Sequence, residues 1–299
     1  METRHIFIAL FVALIWGFNF VMVKSGLEEM PPFLYVCIRY VLAVFPLIFF
    51  IKRPNAPTWV ILGIGFSLGV VKFSLMFLGI YLGVSAGIAS LVMQTQAFFT
   101  LLLSFLFFKT HVTMQQITGM FIAFLGIFFI GLEMHGSASL SGFLLLIVAA
   151  FAWAISNVLT KKAQNADMFS LIVWTSLIPP LPMLGLSWTF EGTNVLAETW
   201  AYLTWNGIFC AFYVAWVATL VGATLWAKLI CIYSPSQVAP FSLLVPVFAI
   251  ASASIFLGET MSILAIFSSG LVFAGLVINQ WPRKISPIIA PKMTEKIAA

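Results

Sequence analysis

Long apolar runs separated by brief polar interruptions fill the chain, and their length predicts its elements. The runs extend from Ile6 to Val23, Pro32 to Ile51, Thr58 to Tyr81, Ser85 to Phe108, Met114 to Leu132, Ser141 to Thr160, Met168 to Trp188, Trp205 to Ala227, Gln237 to Leu257 and Met261 to Trp281. Each is close to the ~20 residues a helix needs to cross hydrocarbon. Helix is the only regular structure available at this length, because every backbone N–H and C=O in lipid must be satisfied within the segment. Barrel strands would be about half as long and would alternate. The expected fold is an all-α integral membrane protein with ten transmembrane helices. The basic start, Met1 to His5, resembles that of a signal peptide, but no small-x-small cleavage site follows and the run is kept as the first span.

The polar interruptions set the topology. Arg4, Lys52, Arg53, Lys109, Lys161, Lys162, Lys228, Arg283, Lys284, Lys292 and Lys296 fall on the side of the N-terminus, and Lys24 alone falls on the other. Eleven cations against one predict that both termini are cytoplasmic and that the protein is multi-pass in the inner (cytoplasmic) membrane. Glu28, Glu29, Glu133, Glu191, Glu198 and Glu259 lie on the outer side. Trp59, Trp188, Trp200, Trp205, Tyr202 and Trp281 cluster at span ends as an aromatic belt. Loops are short, so function is expected within the bilayer.

The two halves of the chain resemble each other. Ala13-Leu14-Ile15-Trp16-Gly17-Phe18-Asn19 in span one parallels Ala150-Phe151-Ala152-Trp153 with Ser156-Asn157 in span six, and Pro46 parallels Pro182 at nearly the same offset. The stretch from Ala89 through Phe98 to Lys109-Thr110 parallels Ala239 through Phe248 to Glu259-Thr260. Three weak likenesses in one order predict an internal repeat. With five spans per half the second repeat is inverted, as in secondary transporters that rock about a central cavity. The expected units are residues 1–136, residues 137–282 and a cytoplasmic tail at 283–299.

Charge inside the spans is confined to two cations. Lys72 lies deep in span three and Arg39 seven residues into span two, and a cation at the bilayer centre costs roughly 2.5–3.5 kcal/mol on insertion scales. Lys72 reads as a binding residue, whereas Arg39 reads as structural or gating, near enough to the interface to snorkel. All nine acids and His5, His111 and His135 fall at span ends or in loops, so neither cation has an evident protein counter-ion. The simplest expectation is that the substrate brings the anion, most simply a carboxylate. Trp16, Asn19, Gln94, Gln96, Thr100, Trp153, Asn157, Tyr213 and Trp216 are the further candidates for the pocket, with Ser156 beside them. Pro240 and Pro246 are candidates for freeing carbonyls in span nine.

Composition excludes several other classes. Of 299 residues 62% are hydrophobic and 8% charged, too few polar groups to cover a water-soluble surface. The net charge of +5 is spread singly or in pairs, which argues against nucleic acid as a partner. Cys37, Cys210 and Cys231 show no C-x-x-C spacing, and no phosphate loop or H-E-x-x-H motif occurs. No enzyme, metal or cofactor is expected. The expected partners are a small-molecule substrate and the lipid bilayer, with a homodimer left open.

The run Leu14 to Val21, the Met30-Pro31-Pro32 turn with Arg39-Tyr40, the stretch Ala86 to Phe99 and the stretch Val238 to Pro246 together resemble the drug/metabolite transporter superfamily, EamA type, over nearly the whole chain. That resemblance implies a basket of ten helices around a central cavity and export of O-acetylserine, cysteine or related amino-acid metabolites by alternating access. The family's Gly-Glu after span four is replaced here by Phe108-Lys109, though Gly258-Glu259 is kept after span nine, and an amide would be expected where Lys72 stands. Uptake or exchange of another anionic or zwitterionic metabolite, such as S-adenosylmethionine or a sugar nucleotide, is the alternative within transport. A non-transporting scaffold is the alternative outside it.

Overall fold

The computed structural model describes residues 1–108, 113–133, 137–163, 165–233, 238 and 241–280. The described chain is helical, and eight helices are long and apolar enough to cross a membrane: α1 (Thr3–Gly26), α2 (Pro32–Phe49), α3 (Thr58–Tyr81), α4 (Ala86–Leu103), α5 (Met114–Leu132), α6 (Leu140–Lys162), α7 (Met168–Phe190) and α8 (Trp205–Trp226). Two shorter apolar helices follow, α9 (Leu244–Leu257) and α10 (Ile263–Asn279). The sequence expectation of ten full-length spans is therefore met at eight positions. Part of the ninth expected run, Gln237, Ala239 and Pro240, lies outside the described residues, as do Lys109, His111 and His135 and the expected tail at 283–299.

Helix ends follow local chemistry. Pro32 occupies the first turn of α2, where its missing N–H is no loss. Ser85 caps α4 by accepting from the Ile88 amide at 3.3 Å, Asp167 caps α7 through the Ser170 amide at 2.7 Å, and Thr204 caps α8 through the Asn206 amide at 3.1 Å. Gly258 ends α9 with φ of +63°, a left-handed conformation that glycine adopts without penalty.

Four of the helices are interrupted near their middle. Gly65–Lys72 in α3 and Tyr213–Gly222 in α8 are wound as π-helix. Turns at Gln94 and Thr95 break α4, and α7 breaks between Met168–Ser176 and Pro180–Phe190. Extra residues in a helical turn re-aim the side chains that follow, which is why π-helical turns concentrate at functional sites.

The helices pack as a set of matched pairs. α1 lies against α8 and α9, α6 against α3 and α4, α2 against α7 and α8, α3 against α7, and α5 against α10. Glycine sets the closest approaches. A Cβ on Gly17 would sit 2.9 Å from the Val245 carbonyl of α9, and one on Gly119 would sit 2.6 Å from the Gly275 carbonyl of α10. In lipid, where apolar solvent supplies no drive for helices to associate, this close contact is a main source of cohesion. Phe121, Phe128, Ile255 and Ile263 face outward, giving the molecule an apolar periphery.

Candidate functional site

The two intramembrane cations meet at one aromatic ring. Lys72 ends the π-helical segment of α3 and is only 6% exposed. Its Nζ lies 3.3 Å from the centroid of Phe73 and 4.8 Å from that of Trp153 on α6. Arg39 on α2 is 3% exposed, and its Cζ lies 3.9 Å from the same Phe73 centroid. Nε and Nη2 of Arg39 donate to Thr219 Oγ1 at 3.2 and 2.8 Å. Thr219 in turn donates to the Val214 carbonyl five residues earlier, at 2.7 Å, inside the π-helical segment of α8. The two π-segments are thus joined through Arg39 and Phe73.

Neither side chain has a carboxylate partner among the described residues. Arg39 Nη1 is buried without a partner, and Lys72 Nζ meets no hydrogen-bond acceptor among the described residues. A desolvated cation over an aromatic face gains about 2 kcal/mol, less than the roughly 2.5–3.5 kcal/mol cost of a cation at mid-membrane. Two basic side chains are thus buried together, with no carboxylate in salt-bridge contact among the described residues.

A polar patch continues from Trp153 along α6. Asn157, one turn on, donates through Nδ2 to Gln96 Oε1 at 2.7 Å and to Thr100 Oγ1 at 3.1 Å, and Thr100 donates to Gln96 Oε1 at 3.3 Å. Of the residues named from sequence, Trp153 thus lies beside Lys72, and Asn157, Gln96 and Thr100 bond to one another from one turn further along α6. Ser156 donates to its own helix, at the Trp153 carbonyl.

The other named residues lie elsewhere. Trp16 donates to the Ala218 carbonyl at 3.1 Å and lies 5.3 Å from Trp226, so it ties α1 to the π-segment of α8. Tyr213 donates to the Ile15 carbonyl at 2.9 Å across the same seam. Gln94 donates from the α4 break to the Ser242 carbonyl just before α9, at 2.8 Å. Trp216 bonds the Leu42 carbonyl at 3.0 Å, stacks on Phe212 and is 38% exposed, which places it on the periphery. Asn19 is buried in α1 with its Oδ1 unpartnered, and Pro246 is buried in α9. Pro240 lies outside the described residues.

Sequence reasoning missed Phe73, Thr219 and a set of locks at one end of the bundle. Glu259, after α9, accepts from Lys24 at 2.6 Å and from the Ala86 and Gly87 amides at 2.9 and 3.2 Å. Glu191, after α7, accepts from the Phe33 and Leu34 amides at 2.6 and 3.0 Å. Glu29, after α1, accepts from the Thr204 amide at 2.9 Å, the Thr204 hydroxyl at 2.7 Å and Asn206 Nδ2 at 3.3 Å. Each carboxylate sits at a helix N-terminus, of α4, α2 and α8 respectively, where free amides and the helix dipole favour negative charge. Partial burial pushes the Glu29 carboxyl up, but hydrogen bonds from Thr204 and Asn206 outweigh it and hold the group below its ordinary range.

The opposite end has contacts of its own, among them Gln115 Nε2 donating to the Ile278 carbonyl at 2.7 Å. His5 Nδ1 pairs with the Tyr233 hydroxyl at 2.8 Å, and Trp174 donates to the Ile51 carbonyl at 3.1 Å. A recess of about 290 Å³ lies at this end, lined by Asp167, Phe169, Thr224 and Lys228 among others. Among the described residues no group of His, Cys, Asp and Glu could hold a metal ion.

The chain matches the EamA-like transporter family over residues 3–132 and again over residues 140–280. It is 39% identical to a probable amino-acid metabolite efflux pump of Salmonella typhimurium over 285 residues, covering 93% of this chain and 95% of that protein. It is 37% identical, with the same coverage, to a probable amino-acid metabolite efflux pump of Escherichia coli. An uncharacterized transporter of Bacillus subtilis, YoaV, is 25% identical over 286 residues, covering 90% and 94% of the two chains. A solved crystal structure superposes with a TM-score of 0.56 at 14% identity, over 93% of this chain and 96% of that one.

Proposed function

Because the chain belongs to the EamA-like transporter family, a family of transporters and not of enzymes, we propose that it exports a small amino-acid metabolite by alternating access about the Lys72 site. The names of the relatives at 39% and 37% identity support the substrate class. The observation that carries the reading is the pair of buried basic side chains, without counter-ions among the described residues, at the junction of π-segments from two helices. A substrate carboxylate would supply the missing charge, with the Asn157, Gln96 and Thr100 patch offering hydrogen bonds to its remaining polar groups.

Two inverted five-helix halves give this site its movement. The two family matches, 3–132 and 140–280, support that division. So does the packing: exchanging each helix for the one five further along turns the α1 contacts with α8 and α9 into the α6 contacts with α3 and α4, and leaves α2 with α7 and α5 with α10. Both π-segments also fall on exchanged helices, α3 and α8. The distribution of Lys and Arg supports cytoplasmic termini, and with that orientation the carboxylate locks close the outer end. Substrate enters from the cytoplasmic end, displaces the cations from Phe73, and leaves when the halves rock and the three locks part.

The test is counterflow in proteoliposomes loaded with one amino-acid metabolite at a time. Lys72→Met is expected to lower flux at least tenfold at unchanged expression and monodispersity. Wild-type flux in that variant would remove the lysine from the substrate site.

A further inference from the structure

From the charge balance at this site we infer that the transported metabolite carries two anionic groups and no ammonium that needs recognition. The inference rests on the export reading above and goes further, by assigning Arg39 to the substrate as a second anchor beside Lys72.

Arg39 is the deciding residue. Were it only a strut between α2 and α8, its donors would be used up by the contact. Instead Nε and Nη2 crowd onto one hydroxyl, Thr219 Oγ1, while Nη1 is buried with nothing to bond. A guanidinium keeps its charge in any protein setting and is shaped to grip a carboxylate with two parallel donors. Its Cζ and the Lys72 Nζ touch the same ring, so one ligand that displaces Phe73 meets both.

Three substrate charge types fare differently there. A zwitterion brings one carboxylate but also an ammonium, into the field of two cations and with no Asp or Glu inside the spans to receive it. A monoanion neutralises one of the two cations and leaves the other uncompensated. A dianion neutralises both. Dicarboxylates, and acidic amino acids whose amine is acylated or removed, are the class that fits.

The full-length protein in proteoliposomes decides this, with labelled succinate as the dianionic probe, N-acetylserine as the monoanion, and serine and O-acetylserine as zwitterions. Succinate counterflow is expected to exceed that of either zwitterion at least tenfold, with N-acetylserine between them. In Arg39→Gln the preference for succinate over N-acetylserine is expected to fall about tenfold, and Arg39→Lys is expected to restore part of it. A purely structural arginine would lower both probes equally, and that result overturns the assignment. Strong serine or O-acetylserine flux with no succinate flux overturns the dianion inference but leaves export standing, whereas no flux of any probe removes both. If Arg39→Gln does not fold, the wild-type ranking alone still confirms or overturns the substrate class.

Discussion

At the scale of single residues, the chain exposes its buried polar chemistry unevenly. Lys72 and Arg39 were legible because a cation in an apolar run has no routine reason to be there. Phe73 was not, because nothing marks one phenylalanine among 31 until folding brings Arg39 and Lys72 onto its ring. Thr219 was hidden likewise, since its pairing with Arg39 spans 180 positions. Glu29 shows how the same uneven legibility extends to pH. It was readable as an acid on the outer side, but its partners, Thr204 and Asn206, were not. Because those hydrogen bonds hold its carboxyl below the ordinary value of 4.5, the stabilisation it gives is complete above that value and fades as pH falls through the depressed one. Hydrogen exchange of the peptide beginning at Thr204 should therefore show equal protection, after correction for intrinsic rate, at pH 7 and pH 5.5, with loss only below about pH 4.5. Glu29→Ala should lose that protection throughout, and a transition near pH 6 in the wild type would contradict the assignment.

At the scale of elements, run length placed the first eight helices to within a few residues, because lipid leaves the backbone no alternative to helix. The interruptions inside them were less readable. A π-turn shows in sequence as a slip of hydrophobic phase, and a helix that is apolar on all sides has no phase to slip, as in Gly65–Lys72 and Tyr213–Gly222. Proline marks two of the breaks: Pro46 lies between Pro32–Val44 and Leu47–Phe49 in α2, and Pro179 immediately precedes the second segment of α7, Pro180–Phe190. Glycine spacing gives a direct test of helix contact. Gly119 of α5 faces the Gly275 carbonyl closely, whereas a Cβ on Gly270 of α10 would meet nothing within 4 Å. Gly119→Leu should cost on the order of 1–3 kcal/mol through overpacking. It should therefore lower the unfolding midpoint in detergent, while Gly270→Leu leaves it unchanged. Equal effects from the two would mean that α5 and α10 do not meet there.

At the scale of the whole molecule, two kinds of contact divide the labour. The middle of the bundle buries Arg39 and Lys72 with no carboxylate partner among the described residues, and the end that bears Glu29, Glu191 and Glu259 carries negative charge engaged with helix N-termini. Every one of these locks joins the first half of the chain to the second, across separations as long as the 235 positions between Lys24 and Glu259. A transporter built this way opens at that end only by separating contacts that are short, numerous and placed together. The expectation of two like halves rests in the sequence on Trp16 and Trp153. The locks were not legible there, because the pairing of loop acids with distant helix starts arises only when those halves come together.

The most direct test bridges that end covalently. In a background with Cys37, Cys210 and Cys231 replaced, Lys24→Cys and Glu259→Cys would be joined by a short reducible bis-thiol reagent, and substrate counterflow measured before and after reduction. Flux should stop in the bridged protein and return on reduction, while either single cysteine is unaffected by the reagent. Flux at the unbridged rate with the bridge in place would mean that the outer end does not open between Lys24 and Glu259, and alternating access through it would have to be abandoned.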